Sequence, residues 1–291
     1  MRTILITGCS SGIGLATARH FAGKDGGKSW KVFAGARSPE KADALRAAAG
    51  ELDMSVVQVD VTSDESVRAC VARVLEAGRH IDVLVNNAGI GGGGPVELAS
   101  LERGHGTFET NYFGPVRMVQ AVLPSMRERQ SGTIVNVTSL AGRLALAGHG
   151  HYAASKWALE AMSECLASEV KPHGIRVAVI EPGVVLTPIF SKSSTPLTEY
   201  GAYQAPVRRL WALFGKQLEK PTQPGDVAAA IEHAVETDEP KLRYLVGTDA
   251  KALMAGRAQL SDEEWVAAQG LADDGEYFAA MEKLMGGGLF R

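Results

Sequence analysis

Short runs rich in Val and Ile recur along the chain near 2–7, 30–36, 54–60, 81–86, 132–138, 174–181 and 242–246. Between them lie longer stretches whose apolar residues repeat at helical spacing, near 12–23, 39–49, 64–77, 101–129, 150–171 and 224–236. Strands that are apolar on both faces must be covered on both faces, and parallel neighbours need a crossover helix between them. The alternation therefore predicts an α/β protein, a doubly wound parallel sheet with helices on both sides. A chain of 291 residues suits one such domain. "TSDE", Thr62 to Glu65, is expected to open the third helix as a capping box. "GKDGGKSW", Gly23 to Trp30, and "GIGGGGP", Gly89 to Pro95, read as exposed connections.

The first run leads straight into "TGCSSGIG", Thr7 to Gly14, and then into a helix. Gly8, Gly12 and Gly14 are spaced G-x-x-x-G-x-G, which differs from the G-x-G-x-x-G dinucleotide fingerprint, and a glycine cluster also serves close helix packing. In a strand–loop–helix context at the head of an alternating chain, however, it suits an anion, most economically a phosphate. Glycines allow close backbone approach, and a helix N-terminus presents unpaired N–H groups and partial positive charge.

Thirty Lys and Arg against 33 Asp and Glu leave a net charge of −3 with no polybasic block, so neither nucleic acid nor an anionic membrane surface is expected as a partner, and a small molecule is. Cys9, Cys70 and Cys165 are widely spaced and form no ligand pattern, which reads as reduced and cytoplasmic. No signal-peptide-like or membrane-spanning run stands out.

Tyr152 and Lys156, in "YAASK", fall at i and i+4 on one helical face. A phenol is a weak acid near pH 7, and a neighbouring ammonium favours its ionised form. Ser139 closes the strand pattern "TIVNVTS", at the carboxyl end where open α/β sheets bind ligands. Asn111 interrupts a helical pattern in "TNYFG", and "NNAG", Asn86 to Gly89, ends a strand. His149 and His151 flank Gly150 without accompanying carboxylates or cysteines, so they suggest a pocket edge or plain surface, and no metal site is expected.

Taken in order over about residues 2–190, "TGCSSGIG", Asp60-Val61, "NNAG", Asn111, Ser139, Tyr152-x-x-x-Lys156 and "PGVVLT", Pro182 to Thr187, resemble the short-chain dehydrogenases/reductases. The resemblance implies a Rossmann fold and an NAD(P)-dependent oxidoreductase acting on CH–OH donors. Tyr152 would be the general acid–base, Lys156 would lower its pKa and bind the nicotinamide ribose, Ser139 would hold the substrate oxygen, and Asn111 would order a water relay. The loop containing Gly8, Ser10, Ser11, Gly12, Ile13 and Gly14 would hold the pyrophosphate and adenosine ribose. Asp60 and Val61 would border the adenine, and Asn87, Ala88 and Gly89 would floor the site. Pro182 and Gly183 belong to the matched segment whose Val185 and Thr187 would fix the carboxamide. "FAGARSPEK", "ASKWALEAMSECLASEV" and "KLRYLVGTDA" look most like the hydroxysteroid and retinol dehydrogenase branch, from which Trp157 departs.

Arg37 stands where an NAD-selecting acid would be expected, so NADP(H) is favoured over NAD(H). Residues 187–223 break the alternation with Phe190, Tyr200, Tyr203, Trp211 and Phe214, and read either as helices on the sheet edge or as a lid over a lipophilic alcohol or ketone. The domain is expected to span 1–250, including that insertion, with a C-terminal helical extension over 251–291. A homodimer or homotetramer is expected. Two alternatives remain: a 3-oxoacyl-acyl-carrier-protein ketoreductase, for which Arg208 and Arg209 offer entrance cations, and an NADP(H)-sensing regulator without turnover.

Overall fold

The computed structural model describes residues 1–188 and 197–284. Seven strands, β1 (Arg2–Ile6), β2 (Trp30–Ala36), β3 (Met54–Gln58), β4 (Val83–Asn86), β5 (Gly132–Val137), β6 (Ile175–Pro182) and β7 (Arg243–Val246), form one parallel sheet in the order β3-β2-β1-β4-β5-β6-β7. The register sets Leu5 between Phe33 and Leu84, with Ile134 beyond Leu84. That row is buried on one face, and the neighbouring row, Ala34, Ile6, Val85 and Val135, is buried on the other. A strand with apolar side chains at consecutive positions is stable only in such a sandwich, where each fully buried Leu, Ile or Phe contributes roughly 1.5–3 kcal/mol.

Helices α1 (Gly12–Gly23), α2 (Asp43–Glu51) and α8 (Pro224–Glu236) cover the Ile6 face, where Phe21 sets its edge against Trp30 at 4.9 Å. The Leu5 face is covered by α3 (Asp64–Gly78), α5 (Gly114–Glu128) and α6 (Gly150–Val170) through Val67, Val74, Met118, Val122 and Leu166. The strand order reverses between β1 and β4, which run parallel, and this opens a crevice beyond their carboxyl ends.

The expected helix 101–129 is interrupted. α4 (Leu101–Phe108) passes through one π-helical turn, Glu109–Phe113, before α5 begins. Pro115 has no N–H for the Asn111 carbonyl, so a regular α-helical ladder cannot continue there. The second helix also begins later than expected, after a 3₁₀ turn at Pro39–Lys41. The third helix is capped one residue late: Ser63, not Thr62, accepts the Ser66 N–H, and Thr62 bonds Asp60 instead.

Beyond the sheet, α7 (Gln204–Gln217), α9 (Thr248–Arg257), α10 (Asp262–Gln269) and α11 (Asp274–Leu284) enclose a third apolar cluster with Leu144, Leu213, Leu253, Trp265 and Met281. The boundary expected at residue 250 falls inside α9, whose Ala250 and Leu253 are core residues, so the extension is continuous with the fold. No helix among the described residues is long and apolar enough to cross a membrane.

Candidate active site

The crevice between β1 and β4 is floored by the glycine loop, and each glycine there has its own reason. Gly8 takes φ +74°, and a Cβ on it would stand 2.7 Å from the Ala88 Cα. Gly12 takes φ +59° beside the Thr187 side chain. Gly14 has no room for a methyl group, because a Cβ would meet the Gly8 carbonyl oxygen at 2.3 Å. Asn87 Nδ2 donates to the carbonyls of Thr7 (2.9 Å) and Gly8 (3.2 Å), while the Thr7 hydroxyl accepts the N–H groups of Asn87 and Ala88. Thr7, which the sequence reading gave no role, thus stitches the β1 loop to the β4 loop.

Above this floor α1 starts at Ser11 with no side-chain cap and no acid in its first turn, so its N–H groups and dipole face the crevice unneutralised. Ser10, Ser11, Ile13, Arg37, Asp60, Val61, Asn87, Ala88 and Gly89 line the same groove, as do Tyr152 and Lys156 at its far end. Arg37 is exposed, and Asp60 Oδ1 is held by the Thr62 N–H and hydroxyl. Arg103 and Thr110 also line the groove and were not anticipated.

At the inner end, α6 places Tyr152 and Lys156 on the face turned to β5. Lys156 is 5% exposed and donates to the Val137 carbonyl at 3.0 Å, with its Nζ 5.9 Å from the centre of the Tyr152 ring. The Ser139 hydroxyl accepts the Ala141 N–H and lines the same cavity as the Tyr152 phenol. Burial pushes the phenol's pKa up against the opposing effect of Ser139, and it pushes Lys156 down to about 8 while Glu160 opposes. Lys156 was expected to lower the phenol's pKa. With these side chains alone desolvation dominates, and the ammonium bonds the Val137 carbonyl. Asn111 sits in the π-turn, fully buried, and its carboxamide clamps Ile90 by both backbone groups (2.9 and 3.0 Å) and donates to Ser155 Oγ (3.1 Å). A Cβ on Gly89 would lie within 3.8 Å of both Asn111 and Lys156.

A second cavity adjoins the groove and shares Ile13, Gly91, Val137, Thr138, Tyr152 and Thr187 with it. Ser139, Pro182, Gly183 and Val185 line this cavity, whose remaining wall is largely apolar and aromatic: Leu144, Leu146, Val207, Leu210, Trp211, Phe214, Leu253 and Met281. The segment singled out as a lid therefore forms a cavity wall through α7 and Tyr200. Tyr203 turns instead to Glu97, and Phe190 lies outside the described residues. The extension anchors that wall. Arg209, 3% exposed, bonds Asp274 and the carbonyls of Leu271 and Ala272, and Arg208 also pairs with Asp274.

His149 stacks on the Tyr152 ring (4.5 Å, 17°) with the Phe214 edge beside it, and burial lowers its pKa to about 4. His151 packs against Gly104 on α4, so the two histidines diverge, and no metal-binding group of side chains occurs among the described residues. The role of His149 as pocket wall was expected. That of Asp249, which lines the cavity and accepts the Val184 N–H at 2.7 Å, was hidden because its partner lies 65 residues away.

A groove floored by a glycine loop and meeting an apolar cavity at a Ser–Tyr–Lys cluster defines a class, and residues 2–197 match the short chain dehydrogenase family. The chain belongs to that family and is an oxidoreductase of its hydroxysteroid and retinol dehydrogenase-like branch. It is 39% identical over 259 residues to retinol dehydrogenase 8 of Homo sapiens, covering 83% of this chain and 80% of that one. It is 37% identical over 253 residues to estradiol 17-beta-dehydrogenase 1 of Rattus norvegicus, covering 83% and 72%. The fold is also similar to an alcohol dehydrogenase from the archaeon Thermococcus sibiricus complexed with 5-hydroxy-NADP, with a TM-score of 0.69 and 28% identity over 84% of this chain and 95% of that one.

Proposed function

We propose that the protein interconverts an alcohol and its carbonyl on a lipophilic substrate, with NADP(H) as cofactor and Tyr152 as general acid–base. The observation that carries this reading is the position of Tyr152, the one titratable side chain among the described residues that line both the groove and the apolar cavity. The groove residues fit a dinucleotide: the glycine cradle would be filled by any Cβ, and the uncapped α1 N-terminus suits a diphosphate. Gly8, Ser10, Ser11, Gly12 and Ile13 would hold that diphosphate, with Asp60 and Val61 at the base, Asn87 to Gly89 beneath, and Val185 and Thr187 at the carboxamide. When bound, the nicotinamide supplies or accepts the hydride.

The chain's own groups manage the proton. Ser139 donates a hydrogen bond to the substrate oxygen, and Tyr152 gives its proton to that oxygen during reduction and takes it back during oxidation. The Lys156 ammonium stabilises the phenolate left behind. Asn111 fixes the Gly89–Ile90 backbone beside Lys156. Tyr152→Phe should lower turnover by at least ~10²-fold while leaving nucleotide affinity similar; unchanged turnover would remove Tyr152 from the chemistry.

The preference for NADP(H) rests on Arg37, exposed in the groove with no acid nearby on β2, and on the nucleotide carried by the archaeal neighbour. Arg37→Asp should turn attraction for a 2′-phosphate into repulsion and shift preference toward NADH. Equal use of NADH and NADPH by the unaltered enzyme would overturn it.

The lipophilic substrate follows from the cavity wall, since a sugar would leave its hydroxyls without partners there. A panel of steroid ketones, retinal, medium-chain aldehydes, β-ketoacyl thioesters and keto-sugars should rank by apolar area, and preference for keto-sugars would refute this. Of the two entrance cations of the acyl-carrier-protein alternative, Arg209 is buried against Asp274, and Arg208 shares that one carboxylate while staying exposed.

A further inference from the structure

One turn beyond Lys156 on the inner face of α6 stands Glu160, a carboxylate 4% exposed, behind the site and lining neither cavity. Its Oε1 accepts the Thr138 hydroxyl at 2.6 Å, and its Oε2 lies 2.9 Å from Arg243 Nε at the start of β7. Arg243 also reaches Glu164 (2.6 Å) and Glu181 (3.6 Å), and Glu181, 1% exposed at the end of β6, pairs with Arg143 at 3.1 Å. The loop after Ser139 is packed onto this turn, since a Cβ on Gly142 would meet Glu160 Cγ at 2.9 Å and the Lys156 carbonyl at 3.2 Å. The cluster therefore ties together the helix carrying Tyr152 and Lys156, the strand end carrying Ser139, and the strand leading into Pro182.

The charges are unequal. Glu160, Glu164 and Glu181 set three carboxylates against two guanidiniums, Arg143 and Arg243; Glu164 is exposed, and burial followed by the nearby Glu160 raises the pKa of Glu181. The nearest cation along α6 is Lys156, four residues from Glu160 on the same face, and the hydrogen-bond partner of its ammonium is a neutral carbonyl. A buried ammonium without a carboxylate in contact must be sustained by field from further away.

We propose that Glu160 is a positioning residue that keeps Lys156 charged: its carboxylate, fixed by Thr138 and Arg243, supplies the buried negative charge against which Lys156 remains an ammonium, and it holds the Ser139 loop to the same helix turn. The inference rests on the role proposed for Lys156 beside Tyr152. The two identified influences on Lys156 agree with it, since burial lowers its pKa to about 8 and Glu160 opposes that fall. Among the described residues Tyr152 is a second titratable group close to Lys156, and Asn111 and Ser155 nearby are neutral.

A simple structural ion pair predicts the same outcome whichever partner is removed. A field acting on Lys156 predicts opposite signs. The test is a titration of the enzyme carrying ¹³C-labelled lysine, with the Lys156 signal assigned by its loss in Lys156→Arg. Glu160→Gln should lower the midpoint of Lys156 by about one pH unit, and Arg243→Gln should raise it. Glu160→Asp, which keeps the charge, should stay near the unaltered value. The alkaline limb of kcat should move with the midpoint in each variant. An unmoved midpoint in Glu160→Gln, or a shift of the same sign in Glu160→Gln and Arg243→Gln, would overturn the proposal. If Glu160→Gln fails to fold by circular dichroism, Arg243→Gln decides alone: a rise supports the field and anything else refutes it. The titration needs neither substrate nor nucleotide, so its outcome is independent of the Tyr152→Phe result, on which the proposed chemistry stands or falls.

Discussion

At Gly14 a single methyl group would have to displace the Gly8 carbonyl and Asn87 Nδ2, which a Cβ would approach to 2.3 and 2.5 Å. Gly14→Ala should therefore cost about 1–3 kcal/mol of stability and weaken nucleotide binding, because the displaced atoms floor the groove. Gly23→Ala, at the other end of the same helix with helical dihedrals and nothing within 4 Å, should be neutral or stabilise by about 0.4–1 kcal/mol. Thermal melting of the two variants separates a glycine required by its neighbours from one that is merely tolerated. His149 carries a pH prediction. Burial holds its folded pKa at about 4, below the ordinary value of 6.5, so the unfolded chain binds the extra proton between those limits. Stability from this residue is full above pH 6.5 and is lost as pH falls toward 4. His149→Asn should flatten that part of the Tm–pH curve, and an unchanged slope would show that His149 is not held neutral. The chemical types at the site were legible residue by residue because Tyr, Lys, Ser and Gly each occur in a local pattern. Thr7, Glu160 and Asp249 were not legible, because what defines them is a partner distant in the chain: Asn87, Arg243 and Val184.

At the scale of elements, strands read well because burial on both faces leaves an uninterrupted apolar run, and all seven fall within two residues of expectation. Helix interiors read well and helix ends poorly. Glu109–Phe113 has the periodicity of its surroundings, and the signal of the break was Gly114-Pro115 rather than hydropathy. The fate of α7 was undecidable from its own residues, since an amphipathic helix rich in aromatics serves a lid or a wall equally well. What decides is the extension, whose Asp274, Trp265 and Gln269 bond α7 and the 145–147 loop leading to His149. Asp274→Asn removes the charged partner of a buried guanidinium and should cost about 1–3 kcal/mol, read by urea denaturation. It should also raise KM for lipophilic substrates more than it lowers kcat, because α7 borders the cavity and not the Tyr152 hydroxyl. A pure loss of kcat would place α7 in the chemistry instead.

For the whole molecule, the described surface of α6 is unlike that of a helix facing water. Its exposed positions are Ala154, Trp157, Ala161, Cys165 and Ser168, small or apolar groups at spacings of three to four residues, with Glu164 and Glu169 beside them and Trp157 49% exposed. Phe113, at the entry to α5, is 44% exposed, and Leu101 at the start of α4 is 74% exposed. A solvent face normally carries charge, and small residues at helical spacing let a second helix approach closely. We propose that these helices form a two-fold contact, in which the same face meets itself, giving the homodimer or homotetramer expected of the chain. The departure at Trp157 then has a use, as an aromatic anchor at the centre of a small-residue face, the kind of residue that dominates binding energy where it is desolvated. Trp157→Glu should place two like charges across the contact and convert the assembly to monomers in light scattering at micromolar concentration. Trp157→Phe, which keeps the ring, should leave the mass unchanged. Because Tyr152 and Lys156 lie on the opposite, buried face of the same helix, the monomeric variant should keep nucleotide affinity within about threefold while losing Tm, as subunit association stabilises by mass action. A monomeric mass for the unaltered protein under the same conditions would refute the contact.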